Sequence, residues 1–272
     1  MQTFYVETTS FLHRLNPLSK VLAPLPVLLF VALTTEPWIP LAFIIFTTLT
    51  ILVMGRIPPQ NFLRIAVPLI LLMTGFLIMY PLVVRRELVD HSPLLFEFGP
   101  IAVYQAGVVY GVATALRIYS LILLSLLFTL TTDASDFIRA LVQQWRLPYK
   151  IGYSALAAFR FVPMLQNELR IIRAAHRVRG ISDKGGLRAH YDRAQRYAIP
   201  LLATAIRQAE RTALAMDGRA FGAFETRTYY RHFSFQRRDM IFIGGFWVIS
   251  LFIVLVLWQI GLLGPFVFIQ EL

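Results

Sequence analysis

The 272-residue chain contains no cysteine, and only 15% of its residues carry a charged side chain. The missing thiols exclude disulfides, thiolate metal sites and cysteine nucleophiles. A soluble domain of this size carries about a quarter charged residues. Here 57% of the residues are hydrophobic and the mean hydropathy is +0.63. The low charge content therefore excludes an ordinary soluble domain and indicates a membrane protein.

Motifs that carry common chemistry are also missing. The sequence has no Gly-x-x-x-x-Gly-Lys loop, so we do not expect the chain itself to hydrolyse ATP. Its five histidines show no ligand spacing, and we predict no catalytic, cofactor or metal site in this chain. The stripe of Arg170, Arg173 and Arg177 is more typical of a helix face on anionic lipid headgroups than of nucleic-acid binding.

Long uncharged runs are what the chain does contain. Five of them predict membrane-spanning helices, at about 18–35, 37–55, 64–84, 104–131 and 240–262. A bilayer core needs about 20 apolar residues in a helix, and backbone groups inside it must be bonded internally. The first run is short and holds Pro24 and Pro26. It can cross the bilayer if the Lys20 side chain extends to the headgroups.

Basic residues are concentrated between the fourth and fifth runs. Segment 133–238 has 19 Lys and Arg against 8 Asp and Glu, a surplus equal to the net charge of the whole chain, +11. A cytoplasmic N-terminus places 23 basic residues inside and only Arg85 and Arg86 outside, which the positive-inside rule favours. We therefore expect spans one to four in 1–131, a basic cytoplasmic region in 132–238, and the last span with an outside C-terminus in 239–272.

The basic region is predicted to be helical. An N-cap cluster at 132–136 opens a helix that continues to about residue 145. A longer helix is expected from about 150 to 179, kinked at Pro163 and ended by Gly180 and the loop 182–186. A third is expected from about 194 or 200 to 220.

Small residues form one ridge on the third of these helices. Ala205, Ala209 and Ala213 are spaced four residues apart, which allows a close crossing with another helix. Ordinary helix packing gives the same pattern, so the ridge by itself leaves both interpretations open.

Both long helices of the basic region end with an arginine next to a glycine. The residues concerned are Arg177, Arg179 and Gly180 at the first end and Gly218, Arg219 and Ala220 at the second. Arginine in a last turn complements the helix dipole, and glycine provides the conformation that ends a helix. A rigid helix could equally present these guanidinium groups to the carboxylates of a partner. The local pattern leaves both interpretations open.

One arginine, Arg117, interrupts the fourth span. An arginine inside a membrane is a functional candidate by default. Because no acidic residue lies within a span to pair with it, we expect Arg117 to contact carbonyls or other polar groups inside the helix bundle.

Several short motifs resemble, in their order and spacing, the transmembrane (T) component of energy-coupling factor transporters. They are Leu-His-Arg-Leu-Asn-Pro-Leu-Ser-Lys at 12–20, Ala-Leu-Arg at 115–117, Thr-Thr at 131–132, Leu-Pro at 147–148 and Phe-Arg-Phe-Val-Pro at 159–163. The two arginine helix ends lie where that family carries paired Ala-Arg-Gly motifs. This chain departs from the pattern, with Val-Arg-Gly at 178–180 and Gly-Arg-Ala at 218–220.

The resemblance implies an all-α membrane protein with about five transmembrane helices and a cytoplasmic module of long crossed coupling helices. It implies that two ABC-type ATPase subunits, which bind the ATP and Mg²⁺, dock at Arg179 and Arg219. A small membrane subunit would bind the substrate, a vitamin or a metal ion. The chain would be a non-catalytic subunit in the cell membrane of a bacterium or archaeon.

Two other functions remain as alternatives. An autonomous transporter needs ionisable residues or broken helices near the midplane of the membrane, and only Arg117 meets that need. A membrane enzyme needs clustered carboxylates with a metal, or a histidine–acid pair. The aspartates here are scattered along the chain.

Overall fold

The computed structural model describes residues 10–84, 92–98, 101–180, 186–224 and 228–262. Arg85, Arg86, residues 182–185 of the predicted loop and the C-terminal tail from 263 lie outside the described residues. The chain divides into two compact units, Met1–Phe137 with Ser234–Leu272, and Ile138–Phe233. We call them the membrane unit and the basic unit.

The membrane unit consists of apolar helices. They are α1 (Pro17–Leu22), α2 (Leu25–Leu33), α3 (Trp38–Leu49), α4 (Pro59–Val83), α5 (Gln105–Thr131) and, at the other end of the chain, α9 (Arg237–Gln259). Three of them, α4, α5 and α9, are long and apolar enough to cross a membrane. Pro17–Leu33 and Trp38–Met54 are shorter apolar segments. The predicted all-α membrane class is confirmed, and the number of spans stays a prediction.

The first predicted span is broken into α1 and α2. Pro24 and Pro26 lie at the junction, where two missing backbone donors favour a new helix start. The prediction for Lys20 was wrong. Its side chain is only 2% exposed, and Nζ donates a hydrogen bond of 2.6 Å to the carbonyl oxygen of Thr131, so it does not extend to the headgroups.

A β-hairpin that the sequence analysis did not predict precedes α5. Strand β1 (Leu94–Phe98) pairs antiparallel with β2 (Ile101–Tyr104), with a register irregularity between Leu94 and Phe96. The predicted fourth span began at 104, where the structure has the last residue of β2. Helix α5 starts directly after it.

Helix α5 lies at the centre of the membrane unit. Its buried face includes Leu123, Leu124, Leu127 and Leu130, which pack in one core with residues of α2, α3 and α9. Small residues on α5 permit close contact with α4: a Cβ on Gly111 would lie 3.2 Å from Pro81 Cδ. Most apolar side chains of α4 and α9 are exposed, as expected of helices that face lipid or another membrane subunit.

The basic unit is built from α7 (Tyr149–Val178) and α8 (Leu187–Asp217), preceded by α6 (Ala134–Gln144), whose first turn belongs to the membrane unit. Asp133 caps α6 as predicted, because its carboxylate accepts the backbone N–H groups of Ser135 and Asp136. Helix α8 begins at Leu187, earlier than predicted, and continues through Pro200.

Helices α7 and α8 pack antiparallel. The ring of Tyr153 near the start of α7 lies 6.3 Å from that of Phe221, just beyond α8. Near the other end, the rings of His176 and Tyr197 are 5.3 Å apart. The side chain of Gln143 on α6 also holds the segment after α8, because its amide bonds the backbone of Arg231 and Phe233.

Gly152 gives a first prediction, because it lets α7 lie against α6. A Cβ at this position would lie 2.1 Å from Val142 Cγ2, so Gly152→Val must displace the Val142 side chain or one of the two helices. We expect an overpacking cost of about 1–3 kcal/mol in the free energy of unfolding, read as a lower melting temperature of the purified protein in detergent. Gly186→Ala is the control, since a Cβ there meets no atom within 4 Å. Equal melting temperatures for the two variants would contradict the packing.

Candidate functional site

The end of α7 places Arg179 next to a left-handed residue. Gly180 has a φ of +76°, and its N–H donates a 3.0 Å bond to the Arg177 carbonyl. Glycine adopts this conformation without a steric penalty, so the helix ends here for a local reason. Arg177 and Arg179 are exposed, and Val178 between them is 90% exposed. The helix therefore ends in an exposed pair of guanidinium groups.

The end of α8 also has a residue of positive φ directly after an arginine, although its sequence differs. Ala220 has a φ of +52°, an unusual value for a residue with a Cβ. Its N–H donates a 2.9 Å bond to the Asp217 carbonyl, and the N–H of Phe221 donates a 3.0 Å bond to the Met216 carbonyl. These are the two bonds of a Schellman motif. Gly218 is in an ordinary helical conformation, with a φ of −62°.

Arg179 and Arg219 consequently occupy equivalent positions. Each is the last residue before a backbone with positive φ, at Gly180 and Ala220 respectively. Both arginines are exposed, and no hydrogen bond or ion pair joins either guanidinium to another residue within the described ranges. Both helix ends thus share a residue of positive φ and the bond from its N–H to the carbonyl three residues back, and each leaves an arginine exposed.

An aromatic contact fixes the end of α8. The ring of Phe221 packs edge-on against Tyr149, at a centroid distance of 5.7 Å, and against Tyr153. The Tyr149 hydroxyl donates a 2.7 Å hydrogen bond to the Phe224 carbonyl. Arg219 lines a cavity of about 550 Å³ beside these rings. Phe221 was not predicted from the sequence, although a hydrophobic residue often packs at this position after a helix end.

The alanine ridge lies beside the contact with α7. Ala205 is half-buried, whereas Ala209 and Ala213 are exposed. Contact with α7 involves other side chains of α8, and the Thr204 hydroxyl donates a 3.5 Å bond to a Glu168 oxygen. A helix crossing at the alanine ridge stays a prediction, which would need an additional partner.

Arg117 is half-buried on α5. Its Nε is buried and has no hydrogen-bond partner among the described residues. The predicted contact with carbonyls or polar groups of the bundle therefore stays a prediction. No group of three His, Asp or Glu residues that could hold a metal ion occurs in the described parts of the chain.

A buried polar cluster that was not predicted from the sequence joins α1, α5 and α9. We call it the α1 anchor; its members are Asn16, Ser19, Lys20, Thr131 and Asp239. One carboxylate oxygen of Asp239 accepts the N–H of Asn16 at 2.7 Å and the Ser19 hydroxyl at 3.3 Å. The Lys20 ammonium donates to the Thr131 carbonyl. The sequence does contain a signal for this cluster: Lys20 and Asp239 each lie near the start of an apolar segment. A charged residue buried there needs a partner.

Ala220→Gly is a second prediction. Glycine adopts a positive φ without the steric cost that alanine pays there, so this substitution should stabilise the end of α8 by about 1 kcal/mol. Gly180→Ala should have the opposite effect, because Gly180 has a φ of +76°. Hydrogen exchange of the amides of residues 216–221 measures the first effect. Faster exchange in Ala220→Gly than in the parent protein would contradict the strain at this position.

Comparisons with known proteins identify the family of this chain. Residues 8–230 match the family described as cobalt transport protein. The chain is 31% identical over 263 residues to the energy-coupling factor transporter transmembrane protein of Brevibacillus brevis, covering 93% of this chain and 95% of that protein. The proteins of the same name from Bacillus subtilis and Lactococcus lactis are 26% and 25% identical. They cover 86% and 94% of this chain, and 89% and 96% of their own lengths. This chain therefore belongs to the family of the transmembrane (T) components of energy-coupling factor transporters.

Proposed function

We propose that this chain couples two cytoplasmic ABC-type ATPase subunits to a small membrane subunit that binds the imported substrate. The observation that carries the proposal is the pair of equivalent helix ends, each with an exposed arginine before a residue of positive φ. Two such ends match two ATPase subunits, one for each arginine. ATP and Mg²⁺ would be bound by those subunits, and this chain would catalyse no reaction.

Arginine suits this role because of its chemistry. Its guanidinium is always charged and donates several hydrogen bonds in a fixed plane, so it recognises carboxylates and carbonyl oxygens with a defined orientation. Hydrogen bonds to charged groups contribute about 1.5–3 kcal/mol each. Two docked arginines would therefore contribute a large share of the binding free energy between this chain and its ATPases.

We place the N-terminus and residues 132–238 in the cytoplasm and the C-terminus outside. The positive-inside rule supports this orientation, since the basic surplus lies in one segment between two apolar regions. The cytoplasmic location also puts Arg179 and Arg219 in the compartment that holds ATP. The exposed apolar surface of α4 supports contact with a membrane subunit. The substrate class, a vitamin or a transition-metal ion, would be set by that subunit.

Affinity purification from native membranes tests the proposal. The protein would carry a tag at its N-terminus and be purified in mild detergent, and mass spectrometry would identify the co-purified proteins. We expect two ATPase chains, or one at double stoichiometry, together with a small membrane protein. Purification without any ATPase would contradict the proposal and favour an autonomous transporter or a membrane enzyme.

A further inference from the structure

The chain passes between the membrane unit and the basic unit twice, near 137/138 and near 233/234. The first connection leaves α5 at Thr131 and becomes α6. The second returns from the basic unit and enters α9 at Arg237. Any force that the basic unit exerts on the membrane helices through the covalent chain must pass along these two connections.

Both connections are attached to the same short helix, α1, on the membrane side. Lys20 holds the first connection through its 2.6 Å bond to the Thr131 carbonyl. Asn16 and Ser19 hold the second through the carboxylate of Asp239, whose other oxygen accepts the N–H of Gln236 at 2.8 Å. Lys20, Ser19 and Asp239 are each at most 2% exposed. Water therefore does not compete for these bonds, and the attachment is rigid.

The same two connections are also joined within the basic unit. Gln143, near the end of α6, donates its amide to the Arg231 carbonyl at 2.8 Å and accepts the N–H of Phe233 at 2.8 Å. Hydrogen bonds therefore join the outgoing and returning connections in both units, through α1 in the membrane unit and through Gln143 in the basic unit. This double attachment is unusual for a simple linker, which would be free to bend between two domains.

We propose that the α1 anchor is a mechanical coupling element. It fixes the end of α5 to the start of α9, so that movement of the basic unit displaces these membrane helices together. Without the anchor, the two connections would move independently and absorb the displacement. Lys20 and Asp239 are positioning residues in this scheme and contact neither ATP nor substrate. The consequence for transport rests on the proposed function, whereas the fixed geometry of the two helix ends does not.

Distance measurements between spin labels test the anchor. Because the chain has no cysteine, labels can be placed at Thr129→Cys on α5 and Met240→Cys on α9, both exposed positions. The parent protein should give a narrow distance distribution, and in the purified complex with its ATPases ATP should not change it. Lys20→Met with Asp239→Ala should broaden the distribution at least about twofold, and ATP should shift it further.

The controls separate the possible outcomes. Ser250→Ala removes a buried hydrogen bond that stays within α9, and it should leave the distribution unchanged. If the double variant cannot be purified, Lys20→Met and Asp239→Ala alone each release one connection and should each broaden the distribution. An unchanged distribution in the variants overturns the proposal, as does a large ATP-dependent change in the parent protein. Broadening in the free protein supports the anchor even if no ATPase binds, an outcome that would overturn only the proposed function.

Discussion

Replacing Asp239 by alanine is expected to destabilise the membrane unit more than any other single substitution considered. The carboxylate of Asp239 accepts hydrogen bonds from Asn16 N, Gln236 N and the Ser19 hydroxyl, and the side chain is only 2% exposed. Alanine would leave the buried N–H of Asn16 without its acceptor and remove the capping box at the start of α9, although the Ser19 hydroxyl would keep its 2.7 Å bond to the Asn16 carbonyl. We expect a loss of about 3–5 kcal/mol in the free energy of unfolding.

A thermal unfolding curve of the purified protein in detergent measures this loss. Asp239→Asn is the matched control, because its remaining side-chain oxygen can still accept the hydrogen bonds that Asn16 and Ser19 donate to one carboxylate oxygen in the parent protein. It should lie between the parent protein and Asp239→Ala in melting temperature. A melting temperature for Asp239→Ala equal to that of the parent would show that these bonds contribute nothing to stability.

Replacing Arg179 and Arg219 together by alanine is expected to abolish stable binding of the ATPase subunits. Each guanidinium is exposed at a helix end and available for charge-assisted hydrogen bonds. The loss of two such contacts, each of about 1.5–3 kcal/mol, corresponds to a decrease in affinity of roughly 100-fold or more. Co-purification of the ATPases, quantified by mass spectrometry, measures the effect.

Arg211→Ala is the control for charge alone. Arg211 is also an exposed arginine of α8, but it lies in the body of the helix rather than at its end. ATPase binding by this variant should equal that of the parent protein. Each single variant, Arg179→Ala or Arg219→Ala, should lose part of the binding. Full ATPase binding by the double variant would contradict a role for the helix ends.

The sequence was sufficient to predict most helices, because their signals are local. Uncharged runs located α4, α5 and α9 to within a few residues, and the aspartate cap located the start of α6. Gly180 ended α7 for the conformational reason that was predicted. The β-hairpin was missed, although Gly99-Pro100 between two apolar stretches is a turn signal. The sequence prediction assigned no structure to residues 94–103, which precede the predicted fourth span.

Features that depend on distant partners could not be predicted. Lys20 sits in an apolar run, and only the folded chain brings the Thr131 carbonyl, 111 residues away, to its ammonium group. The positive φ of Ala220 could not be predicted either, because alanine rarely adopts such a value. Here the Schellman hydrogen bonds impose this conformation. The equivalence of the two arginines therefore emerged only from the backbone geometry.

Site-specific photo-crosslinking tests the proposed coupling role most directly. A photoreactive amino acid at Val178, beside Arg179, or at Ala223, four residues beyond Arg219, would be activated in native membranes; both positions are exposed. Ile241 on α9, which is 71% exposed, is the control position. If the helix ends dock the ATPases, positions 178 and 223 should both give adducts with an ATPase subunit, and position 241 should give none. The absence of ATPase adducts from both helix ends, with the protein intact in the membrane, would contradict the coupling role.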